Sequence, residues 1–442
     1  MAEIIPFRAL RYDASHLPIE KLVTQPYDKI TPAMQQRYYQ ASPFNLVRII
    51  LGRAEPQDTA KEDIYRRSAA FFQDWRRDKI LVPDPQPSIY VYAQRFSAPG
   101  GEKSGGEMLD RVGFIALGKI YDYSDAVVFR HEQTLSQPKA DRLALLRATR
   151  AHFGQIFMLY SDPGQELDAL LRPTGAPDVA LSDEYGVEHS LWRCSDPGRI
   201  DQVRRRTAEK RLLIADGHHR YETAMAYRDE RRRAGPSPSS KASPNDYDYV
   251  MMTFINMDSP GLIILPTHRV LTGIPGFDES GFFRDLAPYF RVEAVPESSA
   301  PELLERLKRA GENGTALLAV TAGGARLLRA IPESNPTSAH SVSAAANEGD
   351  DLDVVKLHRL VLQGALKMSE ESIRQQKNIS YIRDAGEAIQ AVRSGEAQVA
   401  FLMNPVRIGQ LRRIAFAGNV MPQKSTDFYP KLLSGLTIYA LQ

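Results

Sequence analysis

The sequence predicts a mixed α/β protein of the α+β kind, and three observations predict it. Short apolar runs of strand length, such as Ile156 to Ser161 and Tyr249 to Ile255, recur along the chain. They alternate with longer stretches whose apolar residues return at helical spacing, as from Ala60 to Asp78 and from Ala385 to Ser394. The 442 residues suffice for two or three domains with ample core. Internal repeats and heptads are absent. The expected division is an N-terminal α/β segment over 1–110, a core over 111–272 and a C-terminal α/β domain over 273–442.

In the first segment Ile4 to Arg11 reads as extended chain. Gln25-Pro26-Tyr27-Asp28 reads as a turn, because the residue before proline is pushed away from helix. Thr31-Pro32 then starts a helix with proline in its first turn. Asn45 to Leu51 reads as a strand. In the Ala60 to Asp78 helix Ile64, Ala69, Phe72 and Trp75 face the core. Ser88 to Phe96 alternates as a strand does. The glycine-rich stretch from Ala98 to Gly106 is expected to be a hairpin loop. It lacks the spacing of a phosphate-binding loop and does not precede a helix.

The middle segment continues with strands from Val112 to Ile120 and over Ile156 to Ser161, the latter preceded by a helix from about Pro138. Asp141 and Arg142 read as an exposed helical pair. A short helix over Gly164 to Leu171, a strand over Gly186 to Arg193 and a helix over Pro197 to Lys210 follow. After the central motif at Leu212 to Ala224 comes a low-complexity stretch from Gly235 to Pro244, an insertion or a lid. Tyr249 to Ile255 is expected to pair back with Leu262 to Leu265, which ends at Pro266-Thr267-His268-Arg269.

The last segment reads as helices over Asp278 to Tyr289, Ala300 to Arg309, Leu352 to Lys367, Ala385 to Ser394 and Val406 to Ala417. Strands are expected over Arg291 to Val295, in a hairpin at Thr315 to Ile331, at Ile379 to Ile382, Ala397 to Met403 and Leu436 to Leu441. Glu333 to Asp350 has a disordered composition. Met421 to Lys431 reads as a polar loop.

Composition excludes several classes. A net charge of +2 does not argue for nucleic acid. Cys194 is the only cysteine, so no disulfide forms within the chain. It reads as the end of a strand, and a thiol nucleophile is not expected. The N-terminus lacks a basic region followed by an apolar core, and no apolar run reaches membrane-spanning length. The expected location is cytoplasmic, without a membrane partner. His131-Glu132 is not a zinc protease motif, since Leu135 stands where the second histidine would be.

At Leu212 to Ala224 a buried strand, a turn at Asp216-Gly217 and a helix follow one another. This arrangement aims backbone N–H groups and a helix N-terminus at an anion. The turn also carries His218, His219 and Arg220. Asp216 has two readings, a helix N-cap or a site carboxylate, and Gly217 a tight turn. Together the residues point to a phosphate site. Zinc is not expected, because adjacent helical residues diverge by roughly 100°. Polar clusters elsewhere carry alternatives of their own. Tyr27 and Asp28 serve a rigid loop or a ligand. Thr267, His268 and Arg269 serve a structural ion pair or an oxyanion. Lys424, Ser425, Thr426 and Lys431 serve a structural loop or a phosphate clamp. The runs Arg204 to Arg206 and Arg231 to Arg233 read as solvated helix ends or as a positive field for phosphates.

Asp216-Gly217-His218-His219-Arg220 after an apolar strand resembles the signature of the free-serine kinases of the ParB/sulfiredoxin-like superfamily. Gln25 to Asp28, His131 to Thr134, Pro266 to Arg269, Met421 to Thr426 and Phe428 to Lys431 resemble the domain of unknown function 1015 family. The resemblance implies a ParB/sulfiredoxin-like core over 111–272 and phosphoryl transfer on a small metabolite, with a nucleotide as partner. Free serine or a similar hydroxyl amino acid would be the acceptor and ATP or ADP the donor. Gly217 to Arg220 would cradle phosphates, Asp216 would hold Mg²⁺, and His218 or His219 would bond a transferring oxygen. Glu132 matches the essential glutamate of those kinases and would take the hydroxyl proton. A phosphatase of phosphoserine or a similar monoester, and a slow nucleotide-binding regulatory module, are the alternatives. The oligomeric state is not legible.

Overall fold

The structure, a computed structural model, describes residues 1–13, 18–59, 63–99, 107–132, 136–235, 246–331 and 351–441. The fold is mixed α/β. The chain divides into two compact units, one of Met1–Arg130, Thr134–Ile263 and Phe428–Gln442, the other of His131–Gln133 and Ile264–Asp427.

The first unit is built on a mixed nine-stranded sheet. Its strands run in the order Val128–Phe129, Leu212–Asp216, Ile156–Tyr160, Tyr249–Asn256, Met108–Lys119, Ile89–Ser97, Glu188–Cys194 and Val179–Ser182, with Ile4–Ile5 also on Met108–Lys119. Tyr249–Asn256 is buried along its whole length, as a strand covered on both faces must be. It pairs antiparallel with Met108–Lys119 and parallel with Ile156–Tyr160. Both its edges are therefore taken, and the expected hairpin with Leu262 to Leu265 does not form. Val203, Tyr221 and Ala224, from the helices Pro197–Ala208 and His218–Arg233, pack with Met158, Ile214 and Phe254 of the sheet. A second core joins Leu10, Ile49, Phe72, Trp75, Phe153 and Ile438.

The expected strand at Asn45 to Leu51 is instead a short helix, Val47–Ile50. The Asn45 Oδ1 accepts the Val47 N–H at 2.9 Å, while its Nδ2 donates to the Lys21 carbonyl at 2.8 Å. That local bond starts a turn, and a short buried apolar run satisfies helix and strand alike. Thr31 caps the following Pro32–Ala41 helix, accepting the Met34 N–H at 3.2 Å. The antiparallel pair Ser97↔Met108 brackets the expected glycine-rich loop. Residues 60–62, 100–106, 133–135, 236–245 and 332–350 of the sequence expectations lie outside the described residues.

The second unit carries a six-stranded antiparallel sheet, in the order Phe290–Val295, Gly324–Ala330, Ala316–Thr321, Val399–Met403, His268–Leu271 and Ile379–Ile382. One face packs on the helices Ala300–Gly311 and Ala385–Arg393 through Leu303, Leu307, Ala388 and Val392, against Val270, Leu318, Ala400 and Leu402. Alternation turns Phe401 to the other face, where Phe282 of the Glu279–Leu286 helix meets it at 6.2 Å between ring centroids. The helix expected over Leu352 to Lys367 forms as one α-turn, Asp353–Lys356, continued as π-helix over Leu357–Ala365. The polar loop from Met421 contains the strand Asp427–Tyr429.

Candidate phosphate site and associated clusters

Leu212–Asp216 is buried except at its last residue. Its pairing with Ile156–Tyr160 shifts register between Ile214 and Asp216. Such irregularities re-aim a side chain at a sheet edge, and here the residue is Asp216. Gly217 then takes φ +95°, a left-handed conformation that disfavours any side chain. A Cβ on Gly217 would also stand 3.1 Å from the Arg220 guanidinium carbon. The helix His218–Arg233 starts from Gly217, whose carbonyl accepts the Tyr221 N–H at 2.9 Å. Gly217, not Asp216, is the N-cap residue, so the capping reading of Asp216 fails.

The Asp216 carboxylate faces cations instead. Arg220 Nη2 lies at 3.3 Å and Lys431 Nζ at 4.0 Å. Arg220 also donates to the Gln155 carbonyl. Burial works against ionisation of Asp216, but Lys431, Arg220, Lys29 and His218 outweigh it and hold the carboxyl far below its usual range. About a fifth of the side chain, 22 %, still meets solvent. His218 is buried and His219 partly so. The helix is anchored by Tyr221, whose hydroxyl accepts the Tyr121 N–H at 2.9 Å and donates to the Tyr121 carbonyl at 2.8 Å.

The turn at Gln25 to Asp28 reaches the same place. Tyr27 and Arg220 line one cavity of about 70 Å³ together with Pro26, Arg142, Phe153 and Thr223. Arg142 lies over the Tyr27 ring at 4.1 Å and donates to the Ile50 carbonyl. The Tyr65 hydroxyl bonds Asp141 at 2.8 Å. Asp141 and Arg142 are thus tied into tertiary structure and are not an exposed pair. Burial, aided by Asp28, pushes the Tyr27 phenol up to about 12, so it is a neutral donor at physiological pH. Asp28 is exposed.

Sequence reasoning missed the residues that hold these parts in place. Arg111 is fully buried and donates to Gln94 Oε1 and to the carbonyls of Tyr429 and Pro430. Gln94 donates to the Lys431 carbonyl at 2.8 Å. Three consecutive carbonyls are therefore fixed, and they deliver Lys431 to Asp216. A second buried chain runs from Gln25 through Asp183 (3.0 Å) and His189 (3.2 Å) to the Tyr92 hydroxyl (2.7 Å). Burial would raise the Asp183 carboxyl, but His189 and two backbone N–H groups lower it on balance. The one signal available was a lone arginine at the head of the apolar strand Val112 to Ile120. The basic runs serve the surface: Arg205 pairs with Asp201, Arg206 with Glu166 and Arg232 with Asp248.

The remaining motifs meet within the second unit. The Glu132 Oε1 accepts the Thr426 N–H at 3.0 Å and contacts its hydroxyl at 3.1 Å, and His131 Nε2 lies 2.8 Å from that hydroxyl. The Met421 N–H donates to the His131 carbonyl at 2.7 Å. Arg269 donates to the Thr267 and Lys424 carbonyls. The His268 Nδ1 accepts the Met403 N–H at 3.1 Å, and burial followed by Arg269 pushes its pKa down to about 4. Ser425 donates to the Pro422 carbonyl at 2.6 Å. The Arg–Asp pair considered for Arg269 is absent among the described residues. Nor does any group of three or more His, Cys, Asp or Glu among them form a metal site. Asp216 is met by two cations and does not by itself fit a resident Mg²⁺. Among the described residues no helix is long and apolar enough to cross a membrane.

No curated protein matches the chain. Among solved structures, a conserved hypothetical protein from Pyrococcus furiosus aligns at 10 % identity, over 71 % of this chain and 92 % of its own, with a TM-score of 0.35. A free serine kinase in complex with AMP aligns at 12 % identity, over 70 % and 89 %, with a TM-score of 0.35. SbnI with C-terminal truncation from Staphylococcus aureus gives 10 % identity, 74 % and 87 %, and 0.35. The family described as protein of unknown function, DUF1015, matches residues 4–355, well over half the length, and the chain belongs to that family.

Proposed function

We propose that the protein carries out phosphoryl transfer on a small metabolite, as a nucleotide-dependent kinase of free serine or a similar hydroxyl amino acid. The observation that carries the reading is the turn from Asp216 to Arg220. Its positive-φ glycine opens a 16-residue helix amid Arg220, Lys431 and Lys29. Helix-start N–H groups and converging cations are the usual means of holding phosphates.

In this reading Gly217 to Arg220 hold the phosphates and Arg220 neutralises charge that develops on the transferred group. His218 or His219 bonds a transferring oxygen. Glu132 takes the proton of the attacking hydroxyl; its sequence match to the kinase glutamate supports the assignment. Catalysis of this kind rests on positioning and electrostatics. Tyr27, Asp28, Thr267, His268, Arg269, Lys424, Ser425, Thr426 and Lys431 are the substrate contacts of the proposal, and 111–272 its ParB/sulfiredoxin-like core. Mg²⁺ would enter with the nucleotide phosphates, and none of these roles depends on it.

Calorimetric titration of the full chain with ADP tests the phosphate site. Saturable binding that weakens at least tenfold in Arg220→Gln is expected. Equal binding by a folded Arg220→Gln variant would remove the turn from the nucleotide site.

A further inference from the structure

We propose that a cavity inside the second unit binds a small metabolite by its carboxylate or phosphate group, with Arg269 as the buried anchor. The cavity holds about 270 Å³. It lies where three neighbouring strands end: Thr267 and Arg269 enter the His268–Leu271 strand, Met403 and Asn404 leave Val399–Met403, and Thr315 precedes Ala316–Thr321. This deepens the proposed function, which already assigns Thr267, Arg269 and Ser425 to substrate, and adds Lys356 and Arg407 to the site.

The charges argue for an anion. Arg269 is 1 % exposed. Its two terminal nitrogens donate to carbonyls, and among the described residues its Nε has no hydrogen-bond partner. Carbonyls satisfy donors without cancelling charge, and a buried cation whose charge is not cancelled is costly to keep. Burial accordingly pushes Arg269 down to about 10, despite opposing help from Tyr381 and Glu132. The Nε2 of His358, a residue that feels Arg269 electrostatically, likewise lacks a partner among the described residues.

The lining adds the cations Lys356 and Arg407 and the carboxylates Glu312, Asp351 and Asp353. Asp351 is bound by Arg413 at 2.7 and 2.8 Å, which leaves three cations against two carboxylates. Burial pushes one of those two, Asp353, up to about 6. The imbalance suits an oxyanion with polar surroundings. The adjoining nine-residue π-helix, Leu357–Ala365, is of a kind that often marks a functional site.

The test is titration of the full chain with inorganic phosphate, acetate and L-serine, read by calorimetry. At least one probe is expected to bind saturably. That binding should fall at least tenfold in Arg269→Gln and several-fold in Lys356→Gln, and remain unchanged in Arg205→Gln, at a surface ion pair with Asp201. Phosphate against acetate and serine then tells which oxyanion the cavity takes. Absence of saturable binding by all three, or binding that Arg220→Gln abolishes and Arg269→Gln spares, overturns the proposal. If Arg269→Gln does not fold, Lys356→Gln decides: unchanged affinity there overturns it. The proposed kinase activity can fail without touching this result, since no turnover is measured.

Discussion

Asp216→Asn should destabilise the protein at neutral pH and should do so less in acid. The carboxylate sits 3.3 Å from Arg220 and 4.0 Å from Lys431, with a fifth of its side chain in water. Breaking a fully buried ion pair costs about 3–5 kcal/mol; these longer, partly wetted contacts bring the expected loss to about 2 kcal/mol. Its native pKa is depressed, so its contribution is complete above the unfolded carboxylate pKa and fades as pH falls towards the native value. With an unfolded pKa of about 3.9, the difference between wild type and variant should shrink by about 1.3 kcal/mol between pH 7 and pH 3. Urea unfolding of both proteins at the two pH values measures this. A difference that is absent at pH 7, or that does not shrink, would refute the cationic environment assigned to Asp216. The same substitution removes a negative charge beside Arg220 and Lys431, so phosphate should bind more tightly to the variant.

Gly217→Ala must accommodate a Cβ at φ +95° and 3.1 Å from Arg220; a loss of about 1–3 kcal/mol is expected, with weakened ADP binding in the same preparation. Tyr221→Phe removes both bonds to Tyr121 and should cost about 1–3 kcal/mol in urea unfolding. Arg111→Met leaves the Tyr429 and Pro430 carbonyls without their donor. It should cost about 2–4 kcal/mol, and ADP binding should fall in the folded fraction as Lys431 loses its support. Unchanged ADP affinity in folded Arg111→Met would show that Lys431 needs no such clamp.

The central motif was legible because three local signals agreed: an apolar run of strand length, a glycine at the turn and helical spacing after it. The structure has each where the pattern put it, at Leu212–Asp216, Gly217 and His218–Arg233. The same logic misread Asn45 to Leu51, where the run was short and the Asn45 side chain starts a turn through the Val47 N–H while it is held to the Lys21 carbonyl, 24 positions away. Strand partners were beyond reach for a similar reason. Tyr249–Asn256 read correctly as buried, but nothing local says that Met108–Lys119 and Ile156–Tyr160 occupy its edges. At the candidate site, Asp216 and Arg220 were visible because they sit in the motif. Arg111, Gln94, Asp183 and His189 act on carbonyls and side chains far along the chain, and the alternation of a strand does not announce such contacts.

Phosphorus NMR of the purified chain tests phosphoryl transfer most directly. With Mg²⁺, ATP or ADP and pooled amino acids, a new phosphomonoester signal that Glu132→Gln abolishes is expected. Free phosphate released from phosphoserine would reassign the site to hydrolysis. Silence in both experiments, from protein that binds ADP, would contradict transfer and leave a nucleotide-binding module in its place.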